Sequence, residues 1–287
     1  DAAADTTWTI HFDYQNCVDD QTEILTIDGW KMWNQVKAGD RILSTDDTGM
    51  AVEIGVQEVN VFHRPQEIAL FEAKGTRRFS MAVTDDHKCV AVKESKSGGK
   101  RGFTAPHFVE AKSLDQRHHL LRAPLAPLDR PESIGTDMAA LIGWFAAEGW
   151  YARNRGAKEK NNVRLEQSLV KNPEHVAEID GILSRLGPGF SRGVVKQGRH
   201  VLWSLSGPLA KAVQAAVPDK LLPWSLLATM SAHEMSALLD AFVKGDGNRK
   251  GKNDCITITQ KGSTNRQNLE VLQAMATALG KTASIGD

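Results

Sequence analysis

Two nine-residue segments far apart in the chain constrain its fold most: Leu141-Ile142-Gly143-Trp144-Phe145-Ala146-Ala147-Glu148-Gly149 and Leu239-Asp240-Ala241-Phe242-Val243-Lys244-Gly245-Asp246-Gly247. Aligned, they place small residues at matching positions, Gly143 with Ala241 and Ala147 with Gly245. Members of each pair lie four residues apart and so on one helix face, where small side chains let two helix backbones approach closely. Each segment ends in an acid followed by glycine. Glycine is an ordinary helix C-cap, but an acid in the last turn is opposed by the helix dipole, by about 0.3–1 kcal/mol. Accepting that cost twice at matched positions implies a use. Helices packed side by side through their small residues would bring Glu148 and Asp246 together, as a paired-carboxylate site whose hard oxygen ligands suit Mg²⁺.

Apolar spacing predicts further helices over residues 173–186, 206–216, 231–244 and 268–279, with strands over 162–169 and 194–205. Each acidic segment is followed by cations: Arg153, Arg155, Lys158, Lys160 and Arg164 after the first, Arg249, Lys250, Lys252, Lys261 and Arg266 after the second. Either run alone reads as solvated loop. Repeated beside a carboxylate pair, they suit a phosphate backbone. The two segments resemble the LAGLIDADG, or dodecapeptide, homing endonucleases, with leucine first, a small residue third, an acid eighth and glycine last, and with Glu148 where Asp is usual. Asp219-Lys220-Leu221-Leu222-Pro223 is similar to the lysine-containing block before the second motif in intein nucleases. The resemblance implies an α+β domain with a pseudo-two-fold repeat, Glu148 and Asp246 as ligands of catalytic Mg²⁺, Lys220 as the basic residue beside the metal, and double-stranded DNA as partner.

The first half has a different rhythm. Short apolar runs alternate with turn signals: Glu23–Ile27 before Asp28-Gly29, Arg41–Ser44 after Ala38-Gly39-Asp40, then Val52–Phe62, Ile68–Ala73, Phe79–Val83 and Cys89–Val92. Trp8–Tyr14 reads as another short strand, and residues 95–102 as a flexible basic loop. Within this β framework, Cys17 stands before an acidic turn, and Thr84-Asp85-Asp86-His87 falls at the joint of two strands. A thiol becomes a strong nucleophile only as thiolate or beside a proton acceptor, which His87 could supply. Taken singly, each is more often a packing residue. The order CVDDQTEILT, GWKMWNQVKAGDRILSTD, TDDHKCVAV resembles the N-terminal splicing half of inteins, the Hint family, from Cys17 to about Arg122. That resemblance implies a horseshoe-like all-β domain with Cys17 as first intein residue, Asn16 as last residue of a host (extein) protein acting in cis, and Thr84 and His87 as the assisting motif.

Prolines at 124, 127 and 131 exclude a helix and fit a connection between domains. The expected organisation is residues 1–16 as host remnant, 17–130 as the Hint domain and 131–287 as the endonuclease domain. With no closing His-Asn motif visible, the chain reads as an intein cut within its nuclease, acting as a monomer. Lys+Arg and Asp+Glu both total 35, so net charge does not argue for nucleic acid. Three cysteines make no disulfide framework, and no apolar run is long enough to span a bilayer; both point to the cytoplasm and away from a membrane. Cys89 and Cys255 read as bystanders. Two other classes compete: a Hint element whose LAGLIDADG half only binds DNA, and a hedgehog-type autoprocessing domain, against which the twin motifs argue.

Overall fold

The computed structural model describes residues 7–12, 14–19, 21–62, 68–73, 79–97, 100–152, 162–249, 256–260 and 262–285. The chain forms two compact units, residues 1–129 with 276–287, and residues 130–275.

The first unit is built from antiparallel strands. They are β1 (Thr7–Phe12), β2 (Tyr14–Val18), β3 (Glu23–Thr26), β4 (Gly29–Met32), β5 (Arg41–Thr45), β6 (Ala51–Gly55), β7 (Val59–Phe62), β8 (Ile68–Ala73), β9 (Phe79–Thr84), β10 (Lys88–Ser97), β11 (Lys100–Phe103), β12 (His107–Glu110) and β13 (His118–Leu120). Three sheets result, in the orders β7-β1-β2-β9-β8, β4-β3-β5-β6 and β11-β10-β12, with β13 also paired to β10. The turn signals act as expected at Asp28-Gly29. Gly29 has φ of 124°, a left-handed conformation that glycine tolerates, and the Thr26 hydroxyl donates to its carbonyl at 2.8 Å. Hydrophobic burial is divided among small clusters. One joins Val36, Ile42 and Val56; another joins Val83, Cys89 and Ala111, flanked by Val18, Met81, Leu114 and Leu120.

Two expectations change here. The run Trp8–Tyr14 is not one strand: Trp8–Phe12 belong to β1 and Tyr14 opens β2, which pairs antiparallel with β1, so the described part of the run is built into a sheet of this unit. Residues 95–97 and 100–102 are strand, not loop: β10 continues to Ser97 and pairs with β11, Ser95 with Gly102 and Ser97 with Lys100, while residues 98–99 lie outside the described residues. The proline segment is held by backbone bonds, Leu125 N–H to Gly49 O at 2.8 Å and Ala51 N–H to Ala126 O at 3.3 Å.

The second unit comprises α1 (Thr136–Glu148), β14 (Gly149–Ala152), β15 (Asn162–Ser168), α2 (Pro173–Leu186), β16 (Phe190–Val195), β17 (His200–Leu205), α3 (Gly207–Ala216), α4 (Ser225–Thr229), α5 (Ala232–Asp246), β18 (Gly247–Arg249), β19 (Ile256–Ile258) and α6 (Gly262–Ala278), of which residues from Ala276 onward group with the first unit. The expected strand 194–205 is a hairpin, broken where Lys196, Gln197 and Gly198 take positive φ. In the sheet β14-β15-β17-β16, alternation is strict: Val163, Leu165 and Gln167 of β15 and Val201, Trp203 and Leu205 of β17 are buried, while Arg164, Glu166 and Ser168 lie on the opposite, partly exposed face. Among the described residues no helix is long and apolar enough to cross a membrane.

α1 is the centre of this unit, with an unbroken buried run from Ala139 to Ala147. Its closest neighbour is α5, and the small residues make that approach possible. A Cβ on Gly143 would fall 2.2 Å from the Leu238 carbonyl oxygen and 3.0 Å from Ala241 Cβ; one on Gly245 would fall 2.5 Å from Ala147 Cβ. At the other end, Glu234 of α5 accepts N–H bonds from Ser133, Ile134 and Gly135, just before α1, at 2.8, 2.6 and 2.6 Å, and from Ser231, the N-cap of α5, at 2.7 Å. The two helices therefore run in the same direction, their N-termini tied by one buried carboxylate and their C-termini side by side.

Candidate functional site

The C-terminal ends of α1 and α5 carry Glu148 and Asp246 as their last residues. With Gly245 packed against Ala147, the stem of Glu148 lies beside it: Glu148 Cγ is 3.2 Å from where a Gly245 Cβ would stand. The glycines after the acids are not left-handed caps, as a C-cap reading would have them. Gly149 and Gly247 have φ of −87° and −84°, and each opens a strand. They are glycine because a Cβ would strike the preceding turn, 2.2 Å from Phe145 Cδ2 in one case and 2.3 Å from the Val243 carbonyl oxygen in the other. The chain thus turns sharply after each acid.

Lys220 comes to the same place. Its ammonium donates to the Ala147 carbonyl at 3.0 Å, and it interacts electrostatically with both Asp246 and Glu148. Asp219 and Lys220 have φ of 55° and 63°, two consecutive left-handed residues that are not glycine. Such conformations persist where surrounding structure over-determines them. Here the buried Asn268 of α6 does so, accepting from Leu222 N–H at 2.7 Å and donating to the Lys220 carbonyl at 3.3 Å, while Gln267 donates to the Leu222 carbonyl at 2.8 Å.

Electrostatically the site is under load. Burial raises the Glu148 carboxyl above its usual range and the Asp246 charge adds to it; burial likewise raises Asp246, against the opposing pull of Gln260 and Lys220. Burial lowers Lys220, with the two acids pulling it back. A divalent cation fits this donor set, because it relieves both desolvation and like-charge crowding. Among the described residues no group of three or more His, Cys, Asp or Glu could hold a metal. Mg²⁺, however, is commonly bound by one or two carboxylates, with waters and substrate phosphate completing its shell. Glu148 and Asp246 would hold it.

Sequence reasoning missed the residues behind the acids. Gln167 Nε2 donates to Glu148 Oε1 at 3.5 Å, and Asn172 Nδ2 donates to Gln167 Oε1 at 3.0 Å. In the second repeat Gln260 Nε2 donates to Asp246 Oδ2, and Asn265 Nδ2 donates to Gln260 Oε1 at 2.6 Å. The signal was present as glutamine and asparagine five residues apart at a strand-to-helix junction in both repeats. Of the cations proposed for DNA, Arg164 lies on the open sheet face opposite Trp150 and Ser204, and Arg266 pairs with Glu270. Arg153, Arg155, Lys158, Lys160, Lys250, Lys252 and Lys261 lie outside the described residues, as does the side chain of Arg249.

In the first unit, Asn16 and Cys17 are in β2, paired with Ile10 and Thr9. Val18 pairs with Val83 of β9 and Asp19 N–H donates to Ala82 O at 3.2 Å, so the antiparallel register makes Cys17 and Thr84 the next opposed positions. The Cys17 side chain lies outside the described residues. Thr84 is buried, and its hydroxyl has no hydrogen-bond partner among the described residues. A turn follows, with His87 N–H donating to Thr84 O at 3.0 Å, and Ala111 N–H to His87 O at 2.8 Å. Cys89 is buried, which pushes its thiol up to about 11 and leaves it a poor nucleophile. Cys255 lies outside the described residues.

No protein-family model matches the chain, and a search of curated proteins finds no match.

Proposed function

We propose that the chain is an intein-type autoprocessing element carrying a metal-dependent, site-specific DNA endonuclease, acting in the cytoplasm on its host protein in cis and on double-stranded DNA. The observation that carries the nuclease reading is the convergence of Glu148, Asp246 and Lys220 at the paired ends of α1 and α5, each held by a separate element. When bound, a divalent cation supplies Lewis acidity and a water of lowered pKa. Glu148 and Asp246 hold it as a pair, and Gln167 and Gln260 orient their carboxylates. Lys220 offsets negative charge that develops on the phosphate during hydrolysis. The open face of the sheet, with Arg164, faces the nucleic acid in this reading.

The autoprocessing half rests on the register that opposes Cys17 and Thr84, with His87 one turn further on. The Cys17 thiolate attacks the Asn16 carbonyl carbon; a C–S bond forms, the Asn16–Cys17 C–N bond breaks, and the freed amine takes a proton that His87 delivers. This splits one hard acyl transfer into two easier steps.

Incubating the protein with DNA of the intein-free host gene and Mg²⁺ tests the nuclease. Double-strand cleavage lost in Asp246→Asn, with binding retained, is expected; binding without cleavage by the unaltered protein selects the DNA-binding scaffold instead. For autoprocessing, thiol-induced cleavage after Asn16 should disappear in Cys17→Ala and slow by about 10²–10⁴-fold in His87→Ala. Cleavage persisting in Cys17→Ala would overturn that half.

A further inference from the structure

The two repeats share more than an acid. In the first, Asn172 donates to the side-chain carbonyl of Gln167 at 3.0 Å, the Ser168 N–H donates to the same oxygen at 2.8 Å, and the Gln167 amide N–H₂ is left toward Glu148. In the second, Asn265 donates to the Gln260 carbonyl at 2.6 Å, leaving that N–H₂ on Asp246. Asparagine, glutamine and an acid stand in the same donor order in both, with glutamine and asparagine five apart, on elements whose lengths otherwise differ. A glutamine amide is nearly the same size at its two ends, so packing cannot choose which end faces the acid; hydrogen bonds must. With the carbonyl outward, two oxygens bearing negative charge or lone pairs would confront each other. With the N–H₂ outward, the carboxylate gains a donor.

We infer that Asn172 and Asn265 are positioning residues of the paired site, each locking the amide of Gln167 or Gln260 so that it presents N–H₂ and never oxygen to Glu148 or Asp246. The inference rests on the reading of those acids as a catalytic pair. A plain structural role is the competing account, because Asn172 occupies the N-cap position of α2 and Asn265 lies in the first turn of α6. The Asn172 side chain, however, makes no capping bond. Aspartate separates the accounts. It caps a helix as well as asparagine does and is favoured in a first turn, yet it has no N–H to give.

Asn172→Asp and Asn265→Asp should therefore keep or slightly raise the melting temperature while lowering Mg²⁺-dependent cleavage by about 10–100-fold, the usual cost of removing an outer-shell partner. A second measurement needs neither metal nor DNA. In ¹⁵N-labelled protein, the side-chain N–H₂ signal of Gln167 should shift in Glu148→Gln, and that of Gln260 in Asp246→Asn. In Asn265→Asp the Gln260 response should vanish, because the amide has turned over; in Asn172→Asp, where Ser168 N–H still donates to the Gln167 oxygen, the response should weaken. A Gln260 amide that still follows its acid in Asn265→Asp, or an amide that never follows its acid when Asn172 and Asn265 are intact, overturns the inference. If the unaltered protein does not cut DNA, the endonuclease reading fails while the amide signals still decide the positioning role.

Discussion

The two ends of the α1/α5 pair use the same functional group to opposite effect. At the N-terminal end one fully buried carboxylate, Glu234, accepts four backbone N–H bonds and a fifth bond from the Ser133 hydroxyl at 3.3 Å. Burial pushes its pKa up, but the donors of Ser231, Ile134, Gly135 and Ser133 outweigh that, and the carboxyl is held below the usual range. The positive ends of two helix dipoles point at it. At the C-terminal end two carboxylates are crowded together where both dipoles are negative, and burial raises both. One end is solved for stability and the other is not; the second carries a cost that a stable fold has no reason to keep. Groups perturbed in this way cluster at functional sites, which supports the role proposed for Glu148 and Asp246.

That contrast can be broken at either end. The largest effect is expected at the C-terminal end, on activity. Glu148→Gln and Asp246→Asn should each abolish double-strand cleavage in a metal-dependent nicking and cutting assay, with DNA affinity in a gel-shift assay nearly unchanged. A folded Glu148→Gln protein that no longer binds DNA would contradict this division of labour.

Next comes Glu234→Gln, which removes the charge that four N–H donors share and turns an amide N–H₂ toward some of them. It should destabilise by about 3 kcal/mol, read from urea unfolding at pH 7. Since the folded pKa of Glu234 is lowered, its contribution is complete above the unfolded carboxylate pKa and disappears as pH falls through the folded value. The gap between the two proteins should therefore close on acidification.

Gly143→Ala tests the contact joining the two ends. Overpacking against the Leu238 carbonyl should outweigh the helix propensity gained, for a net loss of about 2 kcal/mol. Gly245→Ala, which meets the Ala147 side chain, should cost less in stability, and it should also disturb Glu148. An unchanged cleavage rate in folded Gly245→Ala would show that the acids tolerate a wider spacing than their packing implies.

The smallest effect has the reverse sign. The double variant Glu148→Gln, Asp246→Asn should be more stable than the natural protein at pH 7, by about 1 kcal/mol. Both acids have raised folded pKa values, so their cost is fully present above those values and is relieved as pH falls toward the unfolded pKa. The stability advantage of the double variant should shrink at higher pH than the Glu234 contribution is lost, because the first change lies above the unfolded carboxylate pKa and the second below it.

Local pattern alone determined the elements: α2 over 173–186 as spaced, α3 and α5 within two residues of expectation, and strands of the first unit as apolar runs between turn signals, because helical spacing and turn residues are written into the sequence residue by residue. The matched small residues likewise foretold the close approach of α1 and α5, since backbones approach only where side chains are absent. Turn positions were less legible: the breaks at residues 56–58 and at 196–199 split apolar runs that periodicity reads as continuous. The tertiary structure alone decided the rest. Glu234 belongs by sequence to a capping box, and nothing local shows that it also collects the N–H groups of Ser133 to Gly135. Asn268 could not be linked to the strained Asp219-Lys220 turn, nor Gln167 and Gln260 to their acids, nor the residues from Ala276 onward to the first unit. Each of these joins polar groups distant in the chain, and a buried donor or acceptor takes whichever partner the fold brings within reach, a choice that leaves no period in the sequence.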